Sequence, residues 1–363
     1  MKYFFIAGEA SGDVHASHVI HEIKKIDEQA YFVAWGGKAM QAKGAKILKS
    51  IEDLAFMGFT EVIKNAWTIR NNFKTIKRDI KKTNPDVLVF VDYPGFNLRV
   101  AKWAKEQGYK TAYYILPKVW AWKESRIKKI NKYIDEKLSI LPFEKDFFAK
   151  KNIDIHYVGN PSAEQINKLD LTSVKKEKNI VLLPGSRVQE IKSMLPIMLE
   201  AAQQYNEYKV HIAQAPNLPI HVYTPYIQQH DVQMHQGKTF ELLKQASVAI
   251  VTSGTATLET ALLKVPQVVC YKTNFITYFV AKTVLRIKYI SLVNLILDAP
   301  CVKELIQADC NAKRVQQEID ALLKHTTYKD HMLFQYHQLE SVLSEYQASQ
   351  KSASIIYALA SKK

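Results

Sequence analysis

Five strings in this chain of 363 residues set small, turn-forming residues beside side chains that can do chemistry. The first is Gly8-Glu9-Ala10-Ser11-Gly12-Asp13. Its glycines allow a tight turn from a strand into a helix. It is not the Gly-x-Gly-x-x-Gly of a dinucleotide loop, and a phosphate there would meet the charges of Glu9 and Asp13. The loop suits sugar hydroxyls; alternatively, Ser11 and Asp13 only cap the helix that follows. The second string is Asp92-Tyr93-Pro94-Gly95-Phe96-Asn97. A partly desolvated carboxylate at the end of an apolar strand can act as a general base on a sugar hydroxyl. The plainer alternative is a turn-forming Asp ahead of Pro94-Gly95.

The third string is Pro117-Lys118-Val119-Trp120-Ala121-Trp122, with Arg126 and Lys128-Lys129 beyond it. Its two tryptophans suit an acyl or sugar site, or simply fill core space. The fourth is Leu183-Pro184-Gly185-Ser186-Arg187, with Glu190 opening a helix. A Gly-Ser turn at a helix N-terminus offers backbone N–H groups, and Arg187 adds a forked cation; together they suit a diphosphate. The Lys of a P-loop is missing. The fifth is Ser253-Gly254-Thr255-Ala256-Thr257-Leu258-Glu259. Here too a strand runs through a small-residue turn into a helix able to cradle phosphate. Glu259 could accept from ribose hydroxyls, or only offset the helix dipole. Acidic loops in the first half and anion-binding turns in the second suggest an acceptor site followed by a nucleotide site.

Strands must end where these loops begin. Lys2–Ala7, Asp86–Val91 and Thr111–Ile115 are short apolar runs, each followed by a helix-like stretch such as Ala16–Ile26. The pattern restarts after Gly159-Asn160-Pro161 and the polar stretch Asp170–Lys178, with strands at Asn179–Leu183, Lys209–Ala213, Val248–Val251 and Gln267–Tyr271. Continuous apolar strands alternating with helices imply parallel sheets covered on both faces. The expected fold is α/β, with two doubly wound Rossmann-like domains at 1–165 and 175–330 and a helical tail at 331–363. In such sheets ligands bind beyond the carboxyl ends of the strands, where all five strings lie.

With 50 Lys+Arg against 35 Asp+Glu, the net charge of +15 points to a polyanionic partner: nucleic acid, anionic lipid or a phosphorylated substrate. Three cysteines, Cys270, Cys301 and Cys310, without metal-type spacing fit a reducing cytosol better than a disulfide framework. Met1–Ala7 reads as a first buried strand, because Glu9 and Asp13 interrupt any signal-like run. No stretch of about 18 uncharged apolar residues exists, so membrane contact would be peripheral.

The strings, taken together and in order, resemble the lipid A disaccharide synthase family. The resemblance rests on Ala7–Asp13, Met57-Gly58, Asp92-x-Pro94-x-Phe96-Asn97, Val119–Trp122, Leu141-Pro142-Phe143-Glu144 and Val158-Gly159-Asn160-Pro161. It continues through Leu183–Arg187, Ser253–Glu259, Asn294-Leu295 and Lys303–Gln307. It implies a GT-B glycosyltransferase acting on UDP-2,3-diacylglucosamine and 2,3-diacylglucosamine 1-phosphate (lipid X). The products would be a β-1,6-linked disaccharide 1-phosphate and UDP, with inversion. By the same resemblance Asp92 is the base. Gly185, Ser186, Arg187, Ser253, Gly254, Thr255, Ala256, Thr257, Glu259, Asn294 and Gln307 hold the UDP-sugar. Glu9, Ser11, Gly12, Asp13, Met57, Gly58 and Asn97 hold the acceptor. No metal or other cofactor is implied. Three positions depart from the family pattern: Gly95 where Asp is common, Leu116 where Ser is frequent, and Val293 where Pro is frequent.

Acylated substrates imply a cytoplasmic enzyme peripheral on the inner face of the inner membrane, and leave room for a homodimer. The segment Met57–Lys82 suits an anionic lipid surface. Phe59, Trp67 and Phe73, with Phe56 just before it, stand among Lys64, Arg70, Lys74, Lys77, Arg78, Lys81 and Lys82. A solvated basic helix face is the plainer alternative. Phe275–Leu297 is a second membrane candidate, or else a buried element or subunit interface. A UDP-sugar epimerase of the same fold would share the UDP loops without needing a membrane segment. No recognition-helix, RNP-like or zinc motif supports a nucleic-acid partner.

Overall fold

The structure is a computed structural model that describes residues 1–51, 66–121, 124–171, 173–273, 288–345 and 347–362. The chain forms two compact units, Met1–Pro161 with Glu345–Lys363, and Ser162–Ser344.

The first unit is built on β1 (Lys2–Ala7), β2 (Tyr31–Gly36), β3 (Lys46–Ser50), β4 (Val87–Val91), β5 (Thr111–Tyr114), β6 (Glu136–Ser139) and β7 (His156–Tyr157). They lie in the order β3-β2-β1-β4-β5-β6-β7, all parallel. Its helices include α1 (Ala10–Ile26), α2 (Lys38–Ala42), α3 (Ala66–Thr83), α4 (Pro94–Glu106), α5 (Arg126–Tyr133) and α6 (Phe143–Ala149). The strands alternate faces, so both faces must be covered. Phe4, Ile6, Leu88 and Phe90 pack under Ile76 and Ile80 of α3, Val100 and Ala104 of α4 and Ile130 of α5. Tyr3, Phe5, Val87 and Val89 pack under Val19, Ile20 and Ile23 of α1 and under Ile356 and Leu359. Each buried Val, Leu, Ile or Phe among them is worth roughly 1.5–3 kcal/mol.

The second unit repeats the plan with β8 (Asn179–Leu183), β9 (Lys209–Gln214), β10 (Gln233–Gln236), β11 (Val248–Thr252), β12 (Gln267–Tyr271) and β13 (Lys303–Ile306). Their order is β10-β9-β8-β11-β12-β13, again parallel. Its helices include α7 (Val188–Ala202), α8 (Thr255–Leu262), α9 (Leu292–Leu297), α10 (Ala312–Lys324) and α11 (Thr326–Val342).

The C-terminal stretch is helical, and its helices divide between the two units. Helix α11 belongs to the second unit, where the Tyr336 hydroxyl accepts from Gln267 Nε2 at 3.2 Å and the Tyr336 carbonyl from Lys264 Nζ at 3.0 Å. The last helix, Ala348–Ser361, packs against α1 in the first unit, burying Ala353, Ile356 and Leu359. Among the described residues no helix is long and apolar enough to cross a membrane.

Candidate active site

Strand order reverses between β1 and β4 in the first sheet and between β8 and β11 in the second. Chains leaving neighbouring strands on opposite sides open a crevice there, which is where doubly wound sheets bind ligands. The loops after β1, β4, β8 and β11 carry four of the five strings.

The loop after β4 is held in a costly conformation. Asp92 and Tyr93 are consecutive left-handed residues, at φ 44° and 50°, a state that disfavours any side chain beyond glycine. The surroundings compensate. The Asp92 carbonyl accepts from Asn97 Nδ2 at 2.8 Å and from the Tyr113 hydroxyl at 2.5 Å, and its N–H donates to the Tyr114 carbonyl at 3.1 Å. Burial, reinforced by Asp92, pushes the Tyr113 phenol far up, so it stays a donor. The Tyr93 ring lies across Gly8: a Cβ there would stand 2.3 Å from it, so only glycine admits the ring. Pro94 then opens α4 with a φ already suited to a first turn. Asp92 itself is half-buried, with its main chain fully specified.

Other first-unit residues turn inward. Helix α1 begins at Ala10, with Glu9 as an N-cap that makes no side-chain bond, so neither Ser11 nor Asp13 caps it. The buried Asp13 carboxylate instead accepts from the N–H groups of Gly37, Ala39 and Met40 at 2.8, 2.9 and 3.2 Å. It caps α2 across the fold, and these amides take three of its roughly four acceptor sites. Asn97, fully buried, also donates weakly to the carbonyls of Ile6 and Val91, both at 3.3 Å, tying the ends of β1 and β4 together. Both residues therefore shape the crevice from behind. Glu9 and Gly12 stand in the α1 turn and Ser11 is exposed there. Met57 and Gly58 lie outside the described residues, as do Phe56, Phe59, Lys64 and Trp122.

In the second unit Gly185 takes φ +115°, and a Cβ on it would come within 2.4 Å of Glu190 Oε2. That oxygen accepts the Ser186 N–H at 2.8 Å, while Glu190 Oε1 stands 3.4 Å from Arg187 Nη1. A diphosphate here would exchange with or share the place of the Glu190 carboxylate. Asn217, from the loop after β9, holds the Ser186 carbonyl at 3.0 Å. Its sequence context, Ala215-Pro216-Asn217, carries no signal beyond a turn. After β11 the Ser253 hydroxyl donates to the Ile290 carbonyl at 3.0 Å and Thr257 Oγ to the Gly254 carbonyl at 2.8 Å. Gly254 and Thr255 are exposed at the turn and Ala256 is half-exposed. Glu259 accepts from Ser162 at 3.1 Å, and burial raises its pKa.

Asn294 and Gln307 spend their side chains on backbone. Buried Asn294 exchanges bonds with Val302, both at 2.9 Å, and donates to Glu304 at 2.9 Å. Gln307, itself left-handed at φ 53°, exchanges bonds with Thr273 at 2.7 and 3.0 Å. They fix the loops rather than reach outward. Of the expected lipid-facing residues, Phe73 turns inward and stacks on Phe96 at 4.5 Å. Leu292 and Val293 in the second candidate segment are buried. Residues 274–287 lie outside the description.

A family model described as lipid-A-disaccharide synthetase matches residues 3–356. The lipid-A-disaccharide synthase of Coxiella burnetii (strain CbuG_Q212) is 34% identical over 98% of this chain and 97% of that protein. The chain belongs to the lipid-A-disaccharide synthase family. Two solved structures bear on the fold. The glycotransferase of kitacinnamycin aligns with a TM-score of 0.66 at 12% identity, covering 99% of this chain and 98% of that one. A UDP-GlcNAc 2-epimerase from Methanocaldococcus jannaschii, in complex with UDP-GlcNAc and UDP, aligns at 0.64 and 12% identity, over 99% and 100%. The fold is GT-B, and membership of the synthase family makes the chain a glycosyltransferase of lipid A disaccharide synthesis. The epimerase likeness extends to fold alone, whereas the likeness to synthases runs through the sequence.

Proposed function

We propose that the chain joins UDP-2,3-diacylglucosamine to 2,3-diacylglucosamine 1-phosphate, forming a β-1,6 linkage and releasing UDP. The observation that carries the mechanism is Asp92, set at the first switch point in a left-handed backbone that three hydrogen bonds hold. Asp92 takes the proton from the acceptor 6-hydroxyl. That oxygen attacks the anomeric carbon from the face opposite UDP, and the bond to the diphosphate oxygen breaks. One displacement inverts the configuration. The leaving diphosphate needs stabilisation, supplied by Ser186, Arg187 and the turn Ser253–Thr257, with Glu259 on the ribose. Glu9, Ser11 and Gly12 face the acceptor sugar at the α1 turn, with Asp13 and Asn97 shaping the loops around it. No metal is assigned a role.

The acceptor and product are lipids, which supports a protein peripheral on the inner face of the inner membrane. Helix α3 supports it further: Arg70, Lys74, Lys77, Arg78, Lys81 and Lys82 lie along it, and Lys77 and Lys81 stand over the Trp103 ring at 5.4 and 6.0 Å. A second copy of the chain remains compatible with this reading.

The test is a detergent-micelle assay in EDTA with both substrates, following UDP and disaccharide together. The expected result is one disaccharide per UDP. UDP release without disaccharide would overturn the transfer reading and favour hydrolysis or epimerase-like chemistry.

A further inference from the structure

We propose that Trp120 is the flat platform on which the acceptor sugar ring packs, and that Glu144 is the positioning residue that fixes its plane. The proposal rests on the glycosyl-transfer reading above and adds how the acceptor ring is seated.

The loop from Ile115 to Ala121 leaves the carboxyl end of β5, the strand paired with β4. The pairing runs on past the strands, since the Asp92 N–H donates to the Tyr114 carbonyl at 3.1 Å. Ile115 then takes φ 64°, an outlier for a β-branched side chain that only a well-fixed loop tolerates. Its N–H donates to the Leu138 carbonyl at 3.1 Å. Beyond it the Val119 N–H turns back to the Pro117 carbonyl at 2.6 Å, and the Ala121 N–H to the Lys118 carbonyl at 3.1 Å. Leu116, Val119 and Ala121 are buried. Leu116 and Val119 share one core cluster with Phe96, and Tyr93, the residue after Asp92, packs against the same cluster. Between these buried neighbours Trp120 keeps part of its surface open.

The Trp120 ring is nonetheless fixed from two sides. Its Nε1 donates to Glu144 Oε1 at 2.8 Å, and the ring stands edge-on to Phe143, with centres 5.0 Å apart. Glu144 is itself buried, and its other oxygen accepts from the fully buried Ser139 hydroxyl. The Leu141 N–H in turn donates to Ser139 Oγ at 3.2 Å, so the loops after β5 and β6 are tied through one carboxyl. Burying that carboxyl is costly, and water would serve an exposed indole N–H as well. What the carboxyl adds is direction. It turns the one polar atom of the indole into the fold, so the part of the ring that stays open is hydrocarbon. A pyranose shows C–H groups on its faces and hydroxyls around its rim, so an aromatic plane held at one angle seats a sugar face and fixes its orientation. A flexible acyl chain gains little from such a fixed plane. The acceptor is the sugar assigned to the first unit, and its 6-hydroxyl has to reach Asp92 in one orientation.

The experiment measures acceptor and donor KM in neutral detergent for the wild type, Trp120→Phe, Trp120→Leu, Glu144→Ala and Glu144→Gln, with the diacyl acceptor and with a short-chain analogue. Phe keeps a flat face and Leu only apolar bulk, so both variants should fold, which urea unfolding checks. Trp120→Leu should raise the acceptor KM about tenfold, and Trp120→Phe about threefold. The donor KM, and the affinity for UDP by calorimetry, should barely move. Glu144→Ala should match Trp120→Leu in acceptor KM. Glu144→Gln still accepts from the indole and should recover most of that loss. If Glu144→Ala does not fold, the two Trp120 variants still decide. A wild-type acceptor KM in Trp120→Leu overturns the proposal, as does an equal rise for the donor. A penalty that disappears with the short-chain acceptor would give the ring to an acyl chain and overturn it too. Glu144→Gln as impaired as Glu144→Ala overturns the positioning role. A wild type that makes no disaccharide at all overturns the transfer reading, and the platform falls with it.

Discussion

At the switch point of the first unit, polar side chains point back into the fold. Asp13 serves the amides of α2, Asn97 ties together the ends of β1 and β4, and Tyr113 holds the Asp92 carbonyl. At the switch point of the second unit, the Gly185–Arg187 turn keeps its groups at the surface, engaged mainly by Glu190. The difference follows from where strain is carried. Asp92 and Tyr93 occupy left-handed space without being glycine, so their loop must be over-determined by neighbours. Gly185 takes its positive φ at little cost, so its turn needs fewer props. On the proposed reaction, the loop that would place the base is the one held rigid, and the loop that would receive the diphosphate is the one that keeps its groups at the surface.

The largest expected effect breaks the first loop at its chemical end. Asp92→Asn keeps the shape and removes the proton acceptor, so kcat should fall by roughly 10²–10⁴ with UDP affinity unchanged. Single-turnover kinetics and calorimetry report the two halves separately. Near-normal turnover would make Asp92 a positioning group and leave the strain at that loop without this purpose.

Next come the two residues that stand for the two kinds of loop. Asp13→Ala strands three backbone N–H groups, two of them in buried bonds, and should cost about 3 kcal/mol of stability in urea unfolding. The affinity of the remaining folded protein for UDP should hold. Arg187→Ala should do the reverse. Its pairing with Glu190 is exposed and worth little to the fold, while loss of the fork should weaken UDP about ten- to hundredfold. If Arg187→Ala destabilises as much as Asp13→Ala, or Asp13→Ala costs UDP affinity, the contrast between the loops is wrong.

The central strands and the ends of the chemically equipped loops were legible because buried parallel strands are continuous apolar runs, such as Val87–Val91 and Val248–Thr252. Strands at or next to a sheet edge were not. Gln233–Gln236, at the edge, and Glu136–Ser139, next to it, carry too few apolar residues to stand out. Helix α1 starts six residues before the expected Ala16, because its first turn is made of the loop residues themselves. The tail divided because a hydrophobic stripe specifies burial without naming the surface that receives it. At the site, a polar side chain in a motif reads the same whether it faces a ligand or the protein's own groups. The inward turn of Asp13 and Asn294 was hidden for that reason, and Tyr113 and Asn217 carried no local signal.

Glu144 extends the contrast to a residue that titrates. It sits in the first turn of α6, 1% exposed, accepting from Trp120 Nε1 at 2.8 Å and from the Ser139 hydroxyl. Trp120 stands edge-on to Phe143, with ring centres 5.0 Å apart. Burial raises the Glu144 carboxyl from 4.5 to about 7, against the pull of those two donors. The folded state therefore binds this proton more tightly than the unfolded chain does. Its contribution to stability is complete below the unfolded pKa and is lost as the pH rises through the folded one. The wild type should be about 1 kcal/mol more stable at pH 6 than at pH 7.5 on this account. Glu144→Gln keeps an acceptor for Trp120 and cannot ionise, so that increment should vanish while the fold persists. Denaturation midpoints of both proteins across this range decide it. Parallel curves would mean that the proton is held elsewhere. A variant that loses the increment and also loosens Trp120, seen in its fluorescence, would show that the carboxyl sets the loop as well as its pH response.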